Sequence, residues 1–199
     1  MDKNIQFSGL WAVILGGSSG FGFAAAEKLA AHGMNIAALY RETSVSEKQL
    51  LQKFKDIAAA NNVTILPNNI NALDAAGRDE FIKRFTAVEK DKKVKLLLHS
   101  IARGNLKPLA GDNIDAANNS LLSDEDIRFT TYAMSNSLLD WTRTLLTAKL
   151  FHPDARIVGL TSEGAHKYWE SYAAVSIAKA SLAVLSFTSF SVAGPHKTS

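Results

Sequence analysis

The chain has 199 residues, a formal net charge of +3 and no cysteine. Its length predicts a single domain over residues 1–199, and its hydrophobic fraction of 47% excludes a disordered chain. The lack of cysteine excludes disulfide frameworks, thiolate metal sites and thiol catalysis. Five scattered histidines without ligand spacing predict no metal.

The charge and hydropathy patterns also limit the partners. No basic face with interleaved aromatic residues is visible, so we expect no nucleic-acid binding. The N-terminus is too polar for a signal peptide, and no apolar run is long enough to span a membrane. The sequence therefore predicts a cytoplasmic protein.

Apolar runs alternate with helical patterns along most of the chain. The predicted strands cover residues 11–15, 35–40, 63–66, 94–99 and 155–160. The predicted helices cover residues 24–31, 44–61, 73–88, 124–150 and 171–188. Strands separated by such helices predict right-handed βαβ units and a Rossmann-like, doubly wound parallel sheet in a three-layer α/β/α fold. Residues 103–122 form the longest predicted loop.

A glycine-rich turn follows the first predicted strand and precedes the first predicted helix. Glycines at this point let the backbone approach a pyrophosphate, and the helix N-terminus offers free N–H groups to the phosphates. We favour this interpretation over a turn without a ligand. The predicted cofactor contacts in the turn are Gly16, Ser18, Ser19, Gly20, Phe21 and Gly22.

Arg41 follows the second predicted strand, where dinucleotide-binding folds select their cofactor. An arginine there pairs with the 2′-phosphate of NADP, whereas an acid binds the ribose hydroxyls of NAD. We therefore expect NADPH. The adjacent Glu42 leaves NADH open, and the two residues could also be an exposed loop pair.

Tyr172 and Lys179 lie seven residues apart in the last predicted helix, so two helical turns place them on one face. A nearby ammonium favours negative charge on a phenol oxygen, and such a tyrosine can donate a proton or a hydrogen bond to a substrate oxygen. The alternative is an amphipathic helix with a chance tyrosine and a surface lysine. The preceding glycine turn favours the catalytic interpretation.

These motifs resemble the short-chain dehydrogenase/reductase superfamily. The turn has the spacing Gly-x-x-x-Gly-x-Gly, and the catalytic pair has the spacing Tyr-x(6)-Lys rather than the ordinary Tyr-x-x-x-Lys. That wider spacing, with His99-Ser100-Ile101-Ala102 after the fourth strand, resembles the divergent branch of enoyl-acyl-carrier-protein reductases.

The resemblance implies an NAD(P)H-dependent oxidoreductase that reduces the C=C bond of an enoyl thioester. It implies that Tyr172 stabilises the enolate oxygen, while Lys179 binds the nicotinamide ribose and tunes the charge. Ser162 stands where enoyl reductases have a second tyrosine and ordinary family members have a catalytic serine. Two alternatives therefore stay open: a carbonyl reductase or alcohol dehydrogenase, and a catalytically inactive nucleotide-binding fragment.

The resemblance implies further cofactor contacts after the third and fourth strands and near the C-terminus. They are Asn69, Ile70, Ser100, Ile101, Ala102, Gly194 and Thr198. Asn69 stands where family members bind the adenine amino group with an aspartate, and its carbonyl can accept the same hydrogen bond. The segment with Gly194 arrives early in the chain, which predicts a shortened C-terminus with the last strands missing or incomplete. An accidental match there is the alternative.

The resemblance also implies a homodimer or homotetramer that packs through the long helix and the Tyr172 helix. Burial of the same apolar residues against the chain's own sheet is the alternative, and both can hold. The residues concerned are Leu138, Leu139, Trp141, Leu145 and Leu146. The substrate is a small acyl thioester, carried in one hypothesis by acidic acyl-carrier protein, which a slightly basic chain suits.

Overall fold

A computed structural model describes residues 6–91, 93–109 and 121–189, the last four of them as backbone only. Within these ranges the strands are β1 (Trp11–Leu15), β2 (Asn35–Tyr40), β3 (Ile65–Asn69), β4 (Val94–His99) and β5 (Phe151–Gly159). The α-helices are α1 (Gly20–Ala31), α2 (Ser44–Asn61), α3 (Ala75–Val88), α4 (Asp124–Thr131), α5 (Ser137–Thr147) and α6 (Ala173–Ser189). None of the helices so described is long and apolar enough to cross a lipid bilayer.

The strands form one sheet in the order β3-β2-β1-β4-β5, and β1 pairs in parallel with both β2 and β4. This is the predicted Rossmann-like, doubly wound class. The chain order reverses direction between β1 and β4, and ligands of such sheets bind outside the carboxyl ends of the strands at that point. The sheet topology therefore predicts that a ligand binds at the segments that follow β1 and β4.

The apolar runs predict the central strands well. The strands at 11–15, 35–40 and 94–99 and the helix at 44–61 are confirmed with the same bounds. All five residues of β1 are buried, as expected for a parallel strand covered on both faces. Helices α1 and α3 are also confirmed, with shifted starts.

The prediction for the third strand is wrong in its bounds. The strand runs over Ile65–Asn69 rather than 63–66, and it contains Pro67. Asn62 ends α2 at the predicted residue, in the left-handed conformation with φ of 53°, and the chain needs residues 63 and 64 to reach the sheet. Proline is tolerated because β3 lies at an edge of the described sheet.

The long helix predicted over residues 124–150 is divided. A π-helical segment, Tyr132–Asn136, separates α4 from α5, and α5 ends at Thr147. The following strand starts at Phe151, four residues before the predicted 155, because the Val94 N–H already pairs with the Leu150 carbonyl at 3.0 Å. Strand pairing with β4 thus overrides the helical pattern near residue 150.

The chain forms two compact units. The sheet unit comprises Met1–Ile101 and Asp140–Val158, and the tyrosine unit comprises Ala102–Leu139 and Gly159–Ser199. In the sheet unit, α1 packs on β1 and β2. In the tyrosine unit, α4 and the π-helical segment pack on α6. A single domain over residues 1–199 stays a prediction.

Trp141 and Leu145 are fully buried within the chain itself. The Trp141 ring meets Phe81 edge-on at 5.2 Å between centroids, and its Nε1 donates a 2.8 Å hydrogen bond to the Ala72 carbonyl. Leu146 on the same helix is 43% exposed. The alternative of intramolecular burial therefore holds for Trp141 and Leu145, while the homo-oligomer stays a prediction.

Replacing Trp141 with Phe is expected to lower the free energy of unfolding by about 2 kcal/mol, because part of the ring volume is lost and the Ala72 carbonyl loses its donor. Urea denaturation measures the change. The same replacement at Trp169, which is 47% exposed, is the control and is expected to change stability by less than about 0.5 kcal/mol. Equal losses at the two positions would contradict this assignment.

Candidate functional site

The glycine turn between β1 and α1 is built without room for side chains. Gly16 has φ of +86°, and a Cβ on it would lie 2.6 Å from the Ser100 carbonyl oxygen. A Cβ on Gly22 would lie 2.1 Å from the Gly16 carbonyl oxygen. The Ser100 N–H donates to the Leu15 carbonyl at 2.8 Å, which fixes the end of β4 beside the turn. The structure thus brings Gly16, Gly22 and Ser100 together, as the sequence predicts.

The start of α1 fits a phosphate group. Ser19 occupies the N-cap position, but its side chain makes no capping hydrogen bond. The first N–H groups of the helix therefore have no acceptor on the N-cap side chain, and the helix dipole favours an anion in front of them. Phe21 in this first turn is 81% exposed. A dinucleotide pyrophosphate requires glycines that let the backbone approach closely and free N–H groups at the start of a helix. The turn before α1 has both features.

The ends of β2 and β3 lie side by side. Asn69 uses both atoms of its amide on Glu42: Oδ1 accepts from the Glu42 N–H and Nδ2 donates to the Glu42 carbonyl, each at 3.0 Å. The Ile70 N–H donates to the Tyr40 carbonyl at 3.0 Å. Arg41 is exposed, and no carboxylate among the described residues pairs with it. The contact between Asn69 and Glu42 was not foreseen from the sequence.

The remaining predicted cofactor residues divide between the two units. Ser100 and Ile101 end the first segment of the sheet unit, and Ala102 begins the tyrosine unit. Gly194 and Thr198 lie outside the described residues. The contacts assigned to these residues stay predictions.

Lys179 is buried on α6, with 6% of its surface exposed. Its Nζ donates a 2.6 Å hydrogen bond to the Leu160 carbonyl, and burial lowers the pKa of Lys179. A surface lysine, the alternative offered by the sequence, is therefore wrong. A desolvated ammonium costs free energy, so a lysine in this position needs a reason beyond packing.

Ser162 lies two residues beyond the Leu160 carbonyl. Its Oγ is buried and finds no hydrogen-bond partner within the part of the chain that the structure describes. Buried hydroxyls normally have partners, and an orphaned one is a candidate for binding a substrate oxygen. The Lys179 ammonium thus bonds to the backbone two residues before Ser162, and both residues are predicted to be catalytic.

The Tyr172 side chain is held by two neighbours. A Cβ on Gly164 would lie 2.2 Å from the Tyr172 Cε1 atom, so the ring packs directly against the glycine backbone. Trp169 meets the same ring edge-on at 5.0 Å between centroids. Ser171 adopts φ of +58°, and α6 starts at Ala173 rather than at residue 171, so Tyr172 precedes the helix by one residue.

Polar contacts that the sequence did not signal hold the segment after Ala102 on α4. The Asp126 carboxylate accepts hydrogen bonds from Asn105 at 2.6 Å and Lys107 at 2.7 Å. The Lys107 ammonium, with help from Ser123, lowers the pKa of Asp126 to about 2.

Gly164 was also not predicted from the sequence, because its importance depends on where the Tyr172 ring lies.

A model of a known protein family matches most of the chain. The family model described as Enoyl-(Acyl carrier protein) reductase matches residues 16–189. The chain belongs to this family. The enoyl reductase-like branch of the short-chain dehydrogenase/reductases, which the motifs resemble, is thereby confirmed. The superfamily uses NAD(P)H. No curated protein sequence matches the chain significantly.

Solved short-chain dehydrogenase/reductases share the fold. L-sorbose reductase from Gluconobacter frateurii, complexed with NADPH and L-sorbose, has a TM-score of 0.76 and 20% identity over 94% of this chain and 65% of its own. A dehydrogenase/reductase from Sinorhizobium meliloti has a TM-score of 0.73 and 20% identity over 92% and 66%. A short-chain dehydrogenase/reductase from Serratia marcescens has a TM-score of 0.72 and 18% identity over 90% and 66%. The chain thus spans 65–66% of the length of these structures.

Proposed function

We propose that this protein is an NADPH-dependent oxidoreductase that reduces the C=C bond of an enoyl thioester. The observation that carries the proposal is the buried ammonium of Lys179 on the Leu160 carbonyl, two residues before Ser162, whose buried hydroxyl has no partner among the described residues. The family match and the Tyr-x(6)-Lys spacing favour an enoyl thioester as the substrate.

When bound, NADPH would supply a hydride to the β-carbon of the enoyl group, and a proton from water would then add to the α-carbon of the enolate to complete the reduction. The Tyr172 hydroxyl donates a hydrogen bond to the thioester oxygen, which gains negative charge as the enolate forms. The Ser162 hydroxyl donates a second hydrogen bond to this oxygen. The Lys179 ammonium holds the nicotinamide ribose, and its positive charge favours the developing negative charge.

The glycine turn and Arg41 are proposed to hold the dinucleotide. The uncapped N–H groups of α1 bind the pyrophosphate, and the exposed Arg41 guanidinium pairs with the 2′-phosphate. Gly16 and Gly22 let the backbone approach the phosphates without a side chain in between.

Replacing Arg41 with Ala is expected to weaken NADPH binding about tenfold, because one charge-assisted phosphate contact is lost, and to leave NADH binding almost unchanged. Thermal-shift and fluorescence titrations with both dinucleotides measure the effect. Arg143, an exposed arginine on α5, is the matched control. A wild-type chain that binds only NADH would contradict the proposed role of Arg41.

A second candidate is reduction of a carbonyl group. Ser162 supports it, because a serine at this place is typical of carbonyl-reducing family members, and the structurally similar L-sorbose reductase supports it as well. Consumption of NADPH with crotonyl-CoA, acetoacetyl-CoA and L-sorbose in parallel discriminates between the two. Turnover of crotonyl-CoA alone supports enoyl reduction, and binding without any turnover supports the nucleotide-binding fragment.

The homo-oligomer and the carrier remain part of the proposal. Exposed apolar residues on α4 and α6 favour self-association: Phe129 is 38% exposed, Ile177 44% and Val184 63%. Light scattering during size-exclusion chromatography measures the mass in solution. Faster reduction of a crotonyl group on acyl-carrier protein than on CoA would support acyl-carrier protein as the carrier.

A further inference from the structure

Asn69 forms a contact that is specific for an asparagine. It lies half-buried at the end of β3, and its amide both accepts from the Glu42 N–H and donates to the Glu42 carbonyl, at 3.0 Å each. This pairing copies the hydrogen bonds of a neighbouring strand. Aspartate cannot donate to the carbonyl and leucine can form neither bond, so only an amide of this length serves.

The segment that Asn69 holds is the turn between β2 and α2. The Tyr40 carbonyl accepts from Ile70 at 3.0 Å before the turn, and the Tyr40 hydroxyl donates to Glu47 at 3.2 Å after it. The Thr43 hydroxyl caps α2. The backbone on both sides of Arg41 is therefore fixed, while the Arg41 side chain is exposed and has no carboxylate partner among the described residues.

We propose that Asn69 determines the cofactor specificity of this protein as a positioning residue, by holding the β2–α2 turn so that Arg41 meets a 2′-phosphate. The inference rests on the proposed binding of NADPH. Because the backbone of this turn is already held in place, less conformational entropy is lost when the long Arg41 side chain binds the phosphate. Binding of the 2′-phosphate depends on the position of this turn, whereas binding of the rest of the dinucleotide does not.

The adenine contact implied by the family resemblance makes a different prediction. A residue that binds adenine contributes to NADPH and NADH alike, because both carry the same base. A residue that acts through Arg41 affects NADPH alone. The ratio of the two affinities therefore separates the two roles.

The experiment titrates NADPH and NADH into four purified chains: wild type, Asn69→Leu, Arg41→Ala and the double variant. Leucine is close to asparagine in size and adds no charge near the phosphate. We expect Asn69→Leu to lower the NADPH-to-NADH affinity ratio about fivefold when Arg41 is present. In the Arg41→Ala chain it is expected to leave the ratio unchanged, because the group it positions is absent.

Equal weakening of both dinucleotides, or the same change of the ratio with and without Arg41, would overturn the inference and leave the proposed function standing. Wild-type chain that binds neither dinucleotide would overturn both. Asn69→Ser serves if the leucine variant does not fold, since it also adds no charge near the phosphate and cannot form both amide bonds to Glu42. It is expected to lower the ratio in the wild-type chain as well, and an unchanged ratio would overturn the inference.

Discussion

Replacing Tyr172 with Phe is expected to reduce turnover of an enoyl thioester by a factor of about 100 to 10,000. The ring is held by Gly164 and by the edge of Trp169, and phenylalanine keeps both contacts. Only the hydroxyl that is proposed to donate to the substrate oxygen is lost, so NADPH binding and the melting temperature are expected to remain close to those of wild type. Steady-state rates, with a parallel NADPH titration, measure the two effects separately.

Tyr168 provides the matched control for this variant. It is 90% exposed and lies four residues before Tyr172, so Tyr168→Phe removes an equivalent hydroxyl from the same segment. Turnover by this control is expected to stay within about threefold of wild type. A Tyr172→Phe enzyme with rates equally close to wild type would sink the proposed role of the tyrosine, whichever substrate is reduced.

The central part of the fold could be predicted because its signals are local. Strands β1 and β2 are short apolar runs, and burial on both faces of a parallel sheet requires such runs. The glycine turn was predictable for the same reason, since its backbone conformation and its residue types lie within a few positions. The edge strand was less predictable: whether Pro67 ends or joins a strand depends on the order of the strands in the sheet.

The features that were not predicted depend on contacts between distant residues. The amide of Asn69 meets the backbone of Glu42, 27 positions earlier, and the Asp126 carboxylate gathers Asn105 and Lys107 from another segment. A sequence shows these residues as ordinary polar side chains. The π-helical segment Tyr132–Asn136 likewise interrupts a stretch whose sequence pattern predicts one continuous helix.

The proposed catalytic residues were predictable as residue types but not in their surroundings. The spacing of Tyr172 and Lys179 indicates a shared function, yet only the structure shows that Lys179 is buried and bound to the Leu160 carbonyl. In the same way, Ser162 was a candidate by position, and its orphaned hydroxyl is what distinguishes it from a strand-end serine without a role. The burial and the hydrogen-bond partners of these side chains distinguish a functional residue from a chance one. Both properties depend on the fold and cannot be seen in the sequence.

Gly22→Ala is expected to weaken NADPH binding more than about 100-fold, although alanine is the better helix former by about 1 kcal/mol. The added Cβ would lie 2.1 Å from the Gly16 carbonyl oxygen and 2.9 Å from its carbon. These are backbone atoms of the turn itself, so the turn must open and the start of α1 must move. Fluorescence titration measures the affinity, and thermal melting reports the fraction folded.

Gly77→Ala is the matched control for this variant, because it places the same methyl group at the start of another helix of the sheet unit. There the new Cβ would lie 1.9 Å from the Asn71 carbonyl oxygen. Both variants are expected to melt at lower temperature, but the folded Gly77→Ala chain should bind NADPH within about threefold of wild type. Because both changes strain a backbone carbonyl, a loss of affinity confined to Gly22→Ala would come from the shape of the glycine turn. Near-normal NADPH affinity in Gly22→Ala would show that the dinucleotide does not bind there.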